Sequence, residues 1–154
     1  MLVKEEYKII NQKKKLYEHS RSLVIEALKI AQTKYGWVSN KEIIYIAKIL
    51  NLSISEIESI ATFYSKIFRK PVGKNIIYYC DSIVCYLNGC DGIKKSIESI
   101  LNIKLGQTTK NNKFTFLPTG CLGRCDHSPI IMINYDIYNK VLKKNIINII
   151  NKYL

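Results

Sequence analysis

Apolar residues recur at helical spacing through the first 70 residues, and after a short break the pattern becomes a mixture of strand-like and helix-like runs. Leu23, Ala27, Ile30 and Ala31 predict a helix from about Ser20 to Tyr35, with Gly36 placed to end it. Ser39-Asn40-Lys41-Glu42 reads as a capping box, in which serine and glutamate answer each other's free backbone N–H groups; Ile43, Ile46, Ala47 and Leu50 follow it. Ser53-Ile54-Ser55-Glu56 repeats the device before Ile57, Ile60, Ala61 and Tyr64, which share one face of a third helix. Arg69-Lys70-Pro71-Val72-Gly73 reads as a linker.

Beyond the linker, Ile76-Ile77-Tyr78-Tyr79 is a short β-prone run leading into Cys80. Ile93, Ile97, Ile100 and Leu101 mark one face of a helix. Phe114–Leu117 reads as a strand after an Asn111-Asn112 turn, and Ile130–Ile133 as another. Leu142, Ile146, Ile149, Ile150 and Tyr153 predict a C-terminal helix. Strand, helix, strand, strand, helix is the order of a thioredoxin-like α/β domain. The expected fold class is α+β, with an N-terminal helical bundle over residues 1–70 and a thioredoxin-like domain over residues 71–154.

Composition changes the picture little until the cysteines. With 154 residues, 47% of them hydrophobic, the chain can bury a real core. No apolar run approaches the ~18 residues of a membrane-spanning helix. The opening MLVKEEYKIINQKKK lacks the apolar core of a secretory signal, so a cytoplasmic chain is expected, reaching a membrane only through partners. The net charge of +12 invites a nucleic-acid reading, but only Lys13-Lys14-Lys15 forms a run. Lys, Ile and Asn are over-used together and share A/T-rich codons, so genome bias accounts for the charge and no nucleic-acid partner is expected.

Five cysteines in such a chain point to metal or redox chemistry rather than structural disulfides. They stand as Cys80-x4-Cys85-x4-Cys90, then Cys121-x3-Cys125. There is no tight C-x2-C knuckle of a zinc module and no C-x-x-C redox motif. Paired thiolates on separate loops suit a binuclear iron cluster, each pair taking one iron, although the spacing is not that of plant-type ferredoxins. Spacing leaves two choices, because Cys80/Cys85 and Cys85/Cys90 both give C-x4-C. Cys80 follows a strand, whereas Cys90 falls at a helix start after Gly89 and can pack as a small hydrophobe; this favours Cys80 and Cys85 without closing the question. Gly89, Gly120 and Gly123 adjoin ligand positions, and Arg124 sits between two of them. His127 is read as a loop histidine, since a Rieske-type centre needs two histidines and His19 lies in the helical region.

Cys80-Asp81-Ser82-Ile83-Val84-Cys85-Tyr86-Leu87-Asn88-Gly89, Gly106-Gln107-Thr108-Thr109 and Leu117-Pro118-Thr119-Gly120-Cys121-Leu122-Gly123-Arg124-Cys125-Asp126 resemble the small 2Fe–2S subunit of NADH:quinone oxidoreductase, the E subunit of bacterial respiratory complex I. Gly36-Trp37-Val38 and Ala61-Thr62-Phe63-Tyr64-Ser65 extend the resemblance over most of the chain. It implies a helical bundle joined to a thioredoxin-like ferredoxin domain, and one 2Fe–2S cluster on Cys80, Cys85, Cys121 and Cys125 with Cys90 spare. It also implies a flavoprotein partner that binds FMN and NADH, with which the cluster exchanges single electrons inside a proton-translocating complex, peripheral on the cytoplasmic side of the inner membrane. The chain has no G-x-G-x-x-G loop, so hydride chemistry falls to the partner. Alternatives are the equivalent subunit of an NAD-linked hydrogenase or formate dehydrogenase, a thiol–disulfide enzyme, or a zinc-stabilised binding module. One departure stands out: where the family often opens its last helix with Thr-Pro-Glu, this chain has Leu142-Lys143-Lys144, which forgoes a cap of about 1 kcal/mol.

Overall fold

The computed structural model describes residues 4–154. The chain divides into two compact units, Met1–Pro71 and Val72–Leu154.

The first unit is helical: α1 Lys4–Lys14, α2 Val24–Tyr35 after a 3-10 turn at Ser20–Leu23, α3 Asn40–Leu50 and α4 Ile54–Phe63. Both capping boxes form. The Glu42 carboxylate accepts the Ser39 N–H at 3.1 Å and the Ser39 hydroxyl accepts the Lys41 N–H at 3.2 Å. Ser53 and Glu56 exchange the equivalent bonds at 3.2 Å each. Gly36 ends α2 at φ 77°, and Asn51 ends α3 in the same left-handed region at φ 54°. Leu23, Leu28, Ile43, Ile46, Leu50 and Ile57 are essentially fully buried together in the core. Tyr64 departs from expectation: α4 stops at Phe63, leaving Tyr64 in extended backbone and 42% exposed. The predicted linker is also less free than its composition suggests. Arg69 grips Glu58 side-on, donating from Nε at 3.2 Å and from Nη2 at 2.8 Å, and it donates to Asn40 at 2.7 Å and to the Val38 carbonyl.

The second unit holds β1 Asn75–Cys80, α5 Ile83–Leu87, α6 Cys90–Leu101, β2 Phe114–Thr119, β3 Ile131–Ile133, β4 Asp136–Tyr138 and α7 Ile146–Asn151. The sheet order is β2-β1-β3-β4, with β1 and β2 parallel and the other pairs antiparallel. Ile77, Ile93, Ile97, Phe114, Phe116 and Ile133 fill the space between sheet and helices. Gly73 passes so close to Phe114 that a Cβ there would lie 2.7 Å from backbone carbon. The last helix starts late. A 3-10 turn occupies Lys143–Asn145, and Leu142 at its N-cap makes no side-chain bond and is 51% exposed instead of joining the apolar face. Among the described residues no helix is long and apolar enough to cross a membrane.

Candidate metal centre

Parallel pairing of β1 with β2 is what brings the distant cysteines to one place. Cys80 is opposite Thr119, and the Asp81 N–H still donates to the Thr119 carbonyl at 3.3 Å. The chain therefore leaves both strands at the same sheet end, carrying Cys80 on one and Cys121 just beyond the other, where open α/β sheets place their sites. From β1 the chain turns into α5, which buries Cys85, and then into α6, which opens with buried Cys90 behind Gly89. From β2 it enters a loop that carries exposed Cys121 and half-buried Cys125.

The sulfurs of Cys121 and Cys125 lie 3.2 Å apart, too far for a disulfide and close enough to share a proton. The Gly123 N–H donates to Cys121 Sγ at 3.4 Å and is the main cause holding that thiol below its ordinary pKa, followed by Cys125 and the Ser82 hydroxyl. Cys125 is pushed up, first by its bond to Cys121 and then by burial, with the charges of Cys121 and Cys80 adding. Burial pushes the Cys85 thiol up to about 11, against the pull of the Ile130 backbone amide; Cys80 and Cys90 raise it further. Cys80 contributes to the upward shift of both Cys85 and Cys125. Among the described residues no three His, Cys, Asp or Glu side chains are gathered as a site for one metal ion. The cysteines come as pairs, and pairs are what a binuclear cluster with two thiolates per iron uses. The donor set fits a 2Fe–2S cluster.

Cys90 is placed differently. It is 1% exposed, and its sulfur lies 3.0 Å from the hydroxyl of Tyr79, itself 4% exposed. The sequence places Tyr79 in a strand but gives its hydroxyl no role, because nothing in a β-prone run marks a tyrosine with a sulfur partner. Burial and the Cys90 bond raise the Tyr79 pKa. His127 is a surface loop residue whose Nδ1 meets Asp126 Oδ2 at 2.5 Å. Gly123 uses its freedom at φ 79°, whereas Gly120 has open space around it and no positive φ.

The model of the family described as thioredoxin-like [2Fe-2S] ferredoxin matches residues 9–154. The chain belongs to this family. Among its relatives, the E subunit of the NADH-quinone oxidoreductase of Buchnera aphidicola subsp. Acyrthosiphon pisum (strain APS) is 51% identical over 152 residues, 99% of this chain and 94% of that one. The protein of the same name from Escherichia coli (strain K12) is 48% identical over 137 residues, 89% of this chain and 82% of that one. In an NAD+-reducing [NiFe]-hydrogenase, air-oxidized, a chain superposes on this ferredoxin with a TM-score of 0.74 at 22% identity, over 85% of this chain and 22% of that one. That likeness is one of fold.

Proposed function

We propose that this chain is the 2Fe–2S carrier of an NADH:quinone oxidoreductase, an electron-transfer subunit holding the cluster on Cys80, Cys85, Cys121 and Cys125. The observation that carries the reading is 51% identity over 99% of the chain to a subunit of that complex. An NAD-linked hydrogenase has the weaker claim, because its likeness is confined to fold.

A 2Fe–2S cluster, when bound, accepts and releases one electron at a time. The chain's own residues supply the setting. Buried Cys80 and Cys85 would hold one side from the sheet end, and Cys121 and Cys125 the other from the loop. Amides of Gly123 and Ile130 face Cys121 and Cys85, and N–H groups aimed at sulfur offset added negative charge. Phe116, Ile130 and Ile131 are buried around this end of the domain and keep water from the inner pair. Exposed Cys121 leaves the outer pair open to approach. The electron's counterpart would be the FMN of an NADH-binding partner subunit, and that partner would keep the chain at the cytoplasmic face of the membrane.

The test is reduction by NADH. In the assembled complex, NADH should bleach the visible bands of this cluster and raise its reduced EPR signal, and Cys121→Ser should abolish both. A cluster that dithionite reduces but that neither NADH nor reduced flavin affects at equilibrium, across a range of potentials, would refute the assignment of partner.

A further inference from the structure

Two of the five cysteines stand apart from the rest in access and in mutual distance. Cys121 is exposed and Cys125 half-buried, whereas Cys80, Cys85 and Cys90 are 2%, 1% and 1% exposed. The outer two sulfurs are 3.2 Å apart. A bonded pair sits about 2.0 Å apart, so they need to approach each other by only about 1 Å.

The loop between them can supply that movement. Gly120 has open space around it, and Gly123 already takes the left-handed backbone at φ 79°. Leu122 packs against the domain's core, which keeps the loop seated while its cysteines turn. Cys125 starts a single 3-10 turn, Cys125–His127, rather than a long helix that would fix its direction. The inner cysteines have no such latitude. Cys80 is held in β1 against Thr119, Cys85 is buried in α5, and the Cys90 sulfur lies 3.0 Å from the Tyr79 hydroxyl at the start of α6. An oxidant arriving from solvent therefore meets the outer pair first. Susceptibility follows access and a second thiol poised to resolve the first product.

We propose that Cys121 and Cys125 are an oxidation site in the chain before its cluster is installed: hydrogen peroxide joins them in a disulfide that closes the outer half of the ligand set until a dithiol reduces it. The inference rests on the ligand reading above, and it adds a control over when that ligand set is open. The Cys121 sulfur, to which the Gly123 N–H donates at 3.4 Å, attacks one peroxide oxygen. The O–O bond breaks, the second oxygen leaves as hydroxide and takes a proton to become water, and Cys121 is left as a sulfenic acid. The Cys125 sulfur then attacks that sulfur; the S–S bond forms, the S–O bond breaks, and a second water leaves. The two thiols together lose two hydrogens with their two electrons, and one peroxide becomes two waters. A dithiol reverses this through a mixed disulfide, giving two electrons back and closing into its own disulfide. Iron binds thiolates and a disulfide offers none, so the oxidised chain lacks one of its two cysteine pairs.

The test treats the full chain, freed of metal and fully reduced, with an equimolar amount of hydrogen peroxide under anaerobic conditions. Its titratable thiols should fall from five to three, a loss of two, and peptide mapping should place the link between Cys121 and Cys125. Iron and sulfide uptake by the oxidised chain should drop at least about ten-fold against the reduced chain, and dithiothreitol should restore it. In Cys125→Ser the second step has no thiol, so dimedone should trap a sulfenic acid at Cys121. A link between Cys80 and Cys85, any link to Cys90, or a link joining two chains would overturn the proposal, as would five thiols surviving the peroxide. Undiminished iron uptake by a chain whose Cys121–Cys125 link is mapped would overturn it too. These readings use the parent chain, so they do not depend on a variant folding. Failure of the reduced chain to take up a 2Fe–2S cluster would instead remove the ligand reading, with the disulfide map read independently of it.

Discussion

The Tyr79–Cys90 pair allows the proposal that Cys90 lies outside the ligand set to be tested by a thermodynamic cycle. Cys90→Ala removes a sulfur from a site 1% exposed and strands the Tyr79 hydroxyl in a residue 4% exposed. A stranded buried hydroxyl costs about 1–3 kcal/mol, and the small void adds about 1 kcal/mol, for a total near 3 kcal/mol. Tyr79→Phe strands only a thiol, a weak hydrogen-bonding group, and should cost about 1 kcal/mol. In the double variant neither group is left unpaired, so its loss should fall short of the sum by about 1 kcal/mol. At about 2–4 °C per kcal/mol for a chain of this size, Cys90→Ala should lower the apparent melting temperature by roughly 6–12 °C. Anaerobic thermal unfolding of the cluster-loaded protein, followed by far-ultraviolet circular dichroism, measures this, and a visible spectrum taken beforehand should match the parent. Strict additivity in the double variant would refute the claimed hydrogen bond. Loss of the visible bands in Cys90→Ala would refute the placement of Cys90 outside the ligand set.

Three further outcomes are expected. Cys121→Ser should strip or badly destabilise the cluster, read as loss of iron and visible absorbance after anaerobic purification. Arg69→Ala should destabilise the helical unit by about 2 kcal/mol, since it breaks the two-pronged contact with Glu58 and frees the Val38 carbonyl; denaturant unfolding followed at Trp37 fluorescence reports on it. Leu142→Thr should stabilise by about 0.5–1 kcal/mol, because Leu142 already has the extended backbone of an N-cap, φ −107° and ψ 145°, but no hydroxyl to bond with; a raised melting midpoint checks it.

How legible the molecule was in its sequence depended on how local each signal is. The two capping boxes and the αL glycine after α2 are contained within four or five residues, and each forms as read. The elements missed lack such signals. α5 spans five residues and buries Cys85 while exposing three apolar side chains, so its pattern runs against the usual helical amphipathicity. β4 spans three residues of an edge hairpin whose tight turn is made by Asn134 at φ 54°, too short for alternation to register. Tyr64 keeps helical spacing with Ile57 and Ile60, but the helix ends one residue before it. At the metal centre, spacing could not rank Cys80 against Cys90, since both stand five residues from Cys85. The two differ in the long-range pairing of Cys80 with Thr119 and the side-chain contact of Cys90 with Tyr79, neither of which has a local trace.

Iron content and EPR of the anaerobically purified chain, before and after dithionite, test whether its paired cysteines hold a one-electron cluster. About two irons per chain and a rhombic S = 1/2 signal that appears on uptake of one electron are expected. A colourless chain holding about one zinc would contradict it, and the cysteines would then be the staples of a binding module.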